Sequence, residues 1–319
     1  MANKYNGLIN IYKEPGFTSN DVVAKLRGIL KQKKIGHTGT LDPDAVGVLV
    51  VCLGTGTKLV EMLTDHDKEY IAVCQLGVTT DTQDMSGTIL EKKDVNVTRQ
   101  QLHEAMQAFV GDYDQIPPMY SVIKQNGKKL YELAREGIEV ERKPRKVNIG
   151  AITILDDEKL ESEGLFTMEV KCSKGTYIRT LCHDIGLSLG CGAAMAQLAR
   201  TRVGAFGIDT AIPLSKVEEL RDADKLMEVI KSPEYIFRDL DAIHVKDSCR
   251  VLLENGNSFR RDNLLDENPS GVNDTEYDEE MFKEGNEFRV YGEDETFFGI
   301  YRYSSKKKTF DVDKFFFEK

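Results

Sequence analysis

The first forty residues change hydrophobic period once. "GLINIYK" (Gly7 to Lys13) is a short, mostly apolar run closed by a Pro-Gly turn, which predicts a strand. Beyond the turn Val22, Leu26 and Leu30 recur at i, i+4 and i+8, which predicts a helix with Thr18, Ser19 and Asn20 as N-cap choices. "EYIAVCQLGVTTDTQDMSG" alternates as a strand should and ends in an acidic, glycine-closed loop. A Thr98-x-x-Gln101 capping box with a Leu102/Met106/Phe109 stripe predicts a second helix. Asn126-Gly127 between "YSVIK" and "KKLYEL" is a hairpin signal, and its tip carries Lys124, Lys128 and Lys129. Strand patterns then run from "RKVNIGAITIL" to "LFTMEVKCSKGTYIRTL", followed by a helix at "TLCHDIGLSLG" and a strand pair in "AAMAQLARTRVGAFGI". Strands and helices mixed in this way predict an α+β fold.

Near Arg238 the texture shifts to short β-like runs separated by turn residues, with an acidic middle from about Leu264 to Met281. The expected division is therefore residues 1–238 and a small β-rich unit at 239–319. Charge divides at the same place. The net charge is −10, but 239–319 holds 12 basic and 20 acidic residues and the remainder is nearly neutral. Two basic stretches stand out in that remainder: Lys25 to His37 contains no acid, and "ERKPRK" (Glu141 to Lys146) contains one. Local patches of this kind, rather than net charge, decide where a polyanion docks, although either alone reads as a solvated face.

The chemistry narrows by exclusion. Six scattered cysteines without C-x-x-C fit reduced, buried thiols in the cytoplasm. Five dispersed histidines give no metal-ligand spacing, so no metal is expected. No apolar run approaches a membrane span, and nothing at the N-terminus reads as a signal peptide. "GHTGTLDPDAVGVLVVCLGTGTKL" (Gly36 to Leu59) suggests a nucleotide turn at Gly54–Gly56, but Leu59 stands where a dinucleotide fingerprint needs its third glycine. There is no P-loop either, and no cofactor is expected. What remains in that stretch is Asp42, which before Pro43 reads either as a turn residue or as a reactive carboxylate.

Taken together, "GLINIYKEPGFTSNDVV", "GHTGTLDP", "KEY", "IPPMYSVIKQNGKKLYELAREG", "KGTYIRTL" and "AQLARTRVGAF" resemble the TruB-type pseudouridine synthases, bacterial enzymes that isomerise uridine in the T-loop of tRNA. The resemblance covers most of Met1 to Leu214. Its combination is more specific than any one block. It implies a pseudouridine-synthase core with a mixed, largely antiparallel sheet, a thumb-like RNA-binding insertion at about 112–147, and a PUA-like C-terminal domain. Asp42 would be the nucleophile, attacking either the ribose or the base, and Arg179 its partner. Tyr70 would stack on the flipped base, Tyr177, Leu198 and Lys174 would lie in the substrate pocket, and His37 beside the displaced nucleotide. Lys124, Lys128, Lys129, Arg142, Lys143, Arg145 and Lys146 would meet RNA phosphates.

The implied substrate is position 55 in the tRNA T-stem-loop, with no cofactor, metal, membrane or obligatory protein partner, in the cytoplasm. Asp44, Val46 and Val50 stand where the family usually has a bulky apolar residue, a hydroxyl residue and often proline, and "GTGTK" replaces "GKATK". Two other readings share this scaffold: a synthase acting on another RNA, and a tRNA-binding or folding protein without catalysis.

Overall fold

The computed structural model describes residues 3–125, 127–265, 277 and 279–318. Its main sheet has nine strands. Seven lie side by side in the order Gly7–Lys13, Val46–Leu53, Ala193–Val203, Lys68–Leu76, Leu165–Cys172, Arg145–Asp156 and Gly111–Gln115. Ile35–His37 pairs with Val46–Leu53, and Phe206–Gly207 with Ala193–Val203. Within this sheet one contact is parallel, Ala199 against Val46 and Arg200 against Gly47, and the other pairings are antiparallel. The mixed, largely antiparallel core expected from sequence is the one observed.

Both faces of the sheet are covered. Ile9, Ile11, Leu49, Val51 and Leu53 pack on the Ser19–Leu30 helix through Val22, Leu26 and Ile29, and on Leu214 and Val217 of the Leu214–Asp222 helix. The capping box that starts the first helix is reciprocal: Asp21 N–H donates to Thr18 Oγ1 at 3.1 Å, and Thr18 N–H donates to Asp21 Oδ2 at 2.9 Å. Further along, Ala72, Cys74, Met168 and Val170 meet Leu102 and Met106 of Arg99–Gln107 and Leu181 and Ile185 of Ile178–Ser188. That last helix begins earlier than its apolar stripe suggests, with Tyr177 as N-cap, so that Arg179 falls in its first turn.

The Gly54–Gly56 turn is occupied by the protein itself. A Cβ on Gly54 would lie 1.9 Å from Asn6 Oδ1, and one on Gly56 would lie 2.3 Å from Gly7 O. Thr55 N–H donates to Asn6 Oδ1 at 2.7 Å. The glycines let the N-terminal segment cross closely, which answers why a Gly-x-Gly stands here without the rest of a nucleotide fingerprint.

The C-terminal part forms a separate five-stranded sheet in the order Ala242–Val245, Glu287–Gly292, Phe297–Ser304, Thr309–Phe315, Phe259–Arg260, around Phe259, Phe288, Phe298, Tyr301 and Phe310. The acidic stretch near 264–281 lies largely outside the described residues. The seam between the two sheets is apolar: Ile300 and Phe316 pack with Leu8, Val48, Val50, Leu59 and Phe206. Ile300→Ala is therefore expected to cost about 2–5 kcal/mol and to lower the stability of both parts in one urea transition. Two separate transitions, with the first 238 residues unmoved, would show that the seam does not couple them.

Candidate active site

Asp42 sits in the loop between Ile35–His37 and Val46–Leu53, and almost every bond of that loop goes to its backbone. Thr38 N–H donates to Val50 O (3.1 Å), Leu41 N–H to Ser19 Oγ (2.9 Å), and Pro43 O accepts from Gly16 N–H (3.0 Å). Lys13, fully buried, donates from Nζ to Pro43 O at 2.9 Å and to Ala45 O at 2.6 Å. Leu41 and Ala45 anchor the loop in the core. Ala45 N–H donates to Asp42 O at 3.1 Å, so residues 42–45 do make a turn. The turn leaves the Asp42 carboxylate out of its own hydrogen bonding, and the side chain is 40 % exposed.

The carboxylate meets Arg179 instead. Arg179, 6 % exposed, places Nη2 3.5 Å from Asp42 Oδ1 and Nη1 3.5 Å from Asp84 Oδ2. Its tightest bond is from Nη2 to Tyr120 O, at 2.6 Å, inside the expected thumb insertion. Asp84 is held by its own turn: Oδ1 accepts from Thr82 Oγ1 (2.8 Å) and Ser86 N–H (3.0 Å), and its side chain is 15 % exposed. Burial pushes the Asp42 carboxyl above its ordinary value; Arg179 opposes this and Asp84 adds to it. A partly desolvated carboxylate steadied by a guanidinium at the edge of a cleft is an oriented nucleophile.

Around this pair the sequence-predicted residues divide. Tyr70 is buried in the Lys68–Leu76 strand, in the same core cluster as Leu41; burial raises its pKa and the Arg200 charge opposes this. Leu198 packs, half-buried, against that cluster. Tyr177 precedes Arg179, with its ring 5.9 Å from the guanidinium, and burial raises the pKa of its hydroxyl. His37 Nδ1 accepts from Gly39 N–H at 3.3 Å, and burial, then the Arg200 charge, holds its pKa below the ordinary value, so the ring is neutral at pH 7. Lys174 is not part of the cluster: it is exposed and pairs with Asp65 at 2.7 Å.

The insertion hangs between two adjacent strands, since Gln115 pairs with Arg145 in the main sheet. Lys124 and Lys129 face each other across a two-residue strand pair, and Asn126 lies outside the described residues. Lys128 is exposed, near Glu136 (3.3 Å), whereas Lys129 is half-buried with its ammonium over the Tyr131 ring. Lys143, Arg145 and Lys146 are exposed, with Lys146 3.9 Å from Asp112. Arg142 differs: it is half-buried and ties the two legs together through Nη1 to Pro117 O at 3.2 Å.

Sequence reasoning missed Asp84, Lys13 and Arg200. Asp84 lies in the loop already marked as acidic and glycine-closed. Lys13 continues the alternate positions of Ile9 and Ile11, where strand alternation turns it inward.

The chain matches the family description "TruB family pseudouridylate synthase (N terminal domain)" over residues 27–178, and "tRNA pseudouridylate synthase B C-terminal domain" over 179–238. The boundary between the two matches cuts the Ile178–Ser188 helix, so it is not a structural boundary. Among curated relatives, a protein of Lachnoclostridium phytofermentans named tRNA pseudouridine synthase B is 49 % identical over 98 % of this chain and 99 % of its own. One of the same name from Staphylococcus haemolyticus is 45 % identical over 81 % of this chain and 86 % of its own. A solved Cbf5-Nop10-Gar1 complex contains a chain that aligns with a TM-score of 0.67 at 27 % identity, covering 98 % of this chain and 85 % of that one. A chain in an H/ACA ribonucleoprotein bound to a substrate RNA aligns with a TM-score of 0.66 at 25 % identity, with the same coverage. Matches that span both halves of the site, Asp42 in one and Arg179 in the other, place this chain in the TruB family of pseudouridine synthases.

Proposed function

We propose that this chain isomerises uridine 55 in the T-loop of tRNA to pseudouridine, with Asp42 as the nucleophile. The observation that carries the reading is the Asp42 carboxylate: freed from its own turn and aimed at a buried arginine, within a chain of this family. The reaction breaks the N1–C1′ glycosidic bond, turns the base and forms C5–C1′. C5 loses a proton and N1 gains one, so the change is redox-neutral and consumes no co-reactant. One oriented carboxylate suffices to open a covalent route. Identity of 41–49 % to full-length tRNA synthases, against 25–27 % to the H/ACA-associated chains, favours tRNA over another RNA.

The uridine must leave its stack to reach Asp42, at a cost of a few kcal/mol. Tyr70 and Leu198 form the apolar floor against which the extruded base stacks, and Tyr177 closes one side. His37 lies beside the vacated position. Asp84 keeps Arg179 from collapsing onto Asp42, because two carboxylates share one guanidinium. We place the unit boundary near Arg238, with 1–238 doing the chemistry and the PUA-like 239–319 adding RNA contacts. The chain acts in the cytoplasm, where its substrate is, and without a protein partner; no helix among the described residues is long and apolar enough to cross a membrane. The insertion closes over the RNA, its lysines meeting phosphates and fixing position rather than sequence.

Because C5 loses its proton, a transcript labelled with [5-³H]uridine should release one equivalent of tritium per tRNA when mixed with the purified chain alone. No release above background, with tRNA demonstrably bound, would refute the catalytic reading and favour a binding or folding role. For the insertion, Lys128→Ala with Lys129→Ala should weaken tRNA affinity and reduce the slope of log K against log salt by about one to two units. An unchanged slope would mean that this hairpin faces away from RNA.

A further inference from the structure

Arg200 lies buried between the strand that carries Tyr70 and the strand that follows the Asp42 loop. It is 1 % exposed, one of the largest fully buried side chains, in the Ala193–Val203 strand. Its backbone stands opposite Tyr70 on one side and Gly47 on the other, at the sheet's parallel contact. Gly47 has φ +102°, and a Cβ there would lie 2.3 Å from Arg200 O, so the two strands meet unusually closely.

The guanidinium spends its donors on backbone. Nε donates to Val48 O at 2.7 Å, Nη2 to Gly39 O at 3.2 Å and Nη1 to Thr40 O at 3.5 Å, and the charge acts on the nearby Tyr70 hydroxyl. Among the described residues it makes no ion pair with a carboxylate. A buried charge without a counter-ion costs several kcal/mol, and a well-packed apolar side chain would serve stability as well or better. What the guanidinium gains is geometric. One rigid fork grips the chain before Asp42 (Gly39 and Thr40) and after it (Val48), from a strand position paired with Tyr70.

We propose that Arg200 is a positioning residue for the isomerisation: it fixes the separation between the Asp42 loop and Tyr70, the gap into which the flipped uracil fits. This rests on the roles given to Asp42 and Tyr70 above. Misplacement of reacting groups by about 1 Å can cost about 10²-fold in rate. Arg200→Lys keeps the charge but cannot span all three backbone acceptors. It should lower the single-turnover rate at saturating tRNA by about 10- to 100-fold and leave tRNA Kd within about twofold.

The test measures both quantities for Arg200→Lys, Tyr70→Phe and the double variant, on protein shown to be folded by circular dichroism. Part of the effect passes through the hydroxyl, so Arg200→Lys should cost less in the Tyr70→Phe background than alone. A folded Arg200→Lys chain with an unchanged rate, or strictly additive effects in the double variant, would overturn the proposal. If Arg200→Lys does not fold, Tyr70→Phe decides, since it removes only the hydroxyl from the guanidinium: a slowed rate with unchanged Kd supports the proposal, and an unchanged rate overturns it. Asp42→Asn run alongside separates the two failures. An active Asp42→Asn chain would sink the site reading itself, whereas an inactive one beside an unimpaired Arg200→Lys would sink only the positioning role.

Discussion

Asp42→Asn should bind tRNA normally and make no measurable pseudouridine in a single turnover. The substitution preserves shape and removes the charge and the nucleophilic oxygen. The turn itself tolerates it, because it is closed by Ala45 N–H and Asp42 O and held by Lys13 through the backbone, none of which involves the carboxylate. Loss of a covalent nucleophile is felt on the scale of about 10⁴-fold or more. Affinity rests on phosphate contacts and stacking, so Kd should stay within a few-fold of the parent. In the parent enzyme the same carboxylate sets the acid limb of the pH profile. Asp42 reacts ionised, and burial raises its pKa, so the rate should fall with decreasing pH at a value above the ordinary aspartate range of about 3.5–4. A limb at or below that range would show that the reacting carboxylate is another one, or is far better solvated.

Arg179→Lys is the second large effect. The arginine is shared between Asp42, Asp84 and Tyr120 O, and an ammonium cannot reach all three. Charge is retained, so whole-site attraction for RNA should persist while the orientation of Asp42 is lost. A fall of about 10²–10³-fold in single-turnover rate, with Kd little changed, is the expectation for removing a preorganised donor of this kind. Arg179 also opposes the burial that raises Asp42, so weakening its contact should move the acid limb to still higher pH. A mutant whose rate recovers fully at alkaline pH would mean that Arg179 serves only to ionise Asp42. Arg179→Met goes further. It leaves Asp84 buried without its cation, and should cost about 3–5 kcal/mol of stability, read as a drop in urea midpoint.

How much of this could be read from the chain alone depends on how local each signal is. The Ser19–Leu30 and Arg99–Gln107 helices announced themselves because cap and stripe lie within one segment. Tyr70 sat visibly on the inward face of an alternating strand. Asp42 and Arg179 are 137 positions apart, and their pairing came from the family likeness rather than from spacing. Asp84 had no such help: its turn was legible, but its partner lies 95 positions away, and nothing local says that the carboxylate turns inward. Arg200 was hidden by a register shift between Arg200 and Arg202, which breaks the alternation that would have marked it as buried. The apolar seam onto the C-terminal sheet was also out of reach. Val48 and Val50 belong to a strand buried on both faces, and such runs do not say what covers each side.

The central claim is that this chain alone converts one uridine of tRNA. Nucleotide-resolution mapping of an unmodified tRNA transcript after incubation with the purified protein tests it most directly. Pseudouridine is expected at position 55, approaching one per tRNA, and none when that position is cytidine. A transcript that is bound but unconverted, or converted at other positions while position 55 stays uridine, would contradict it.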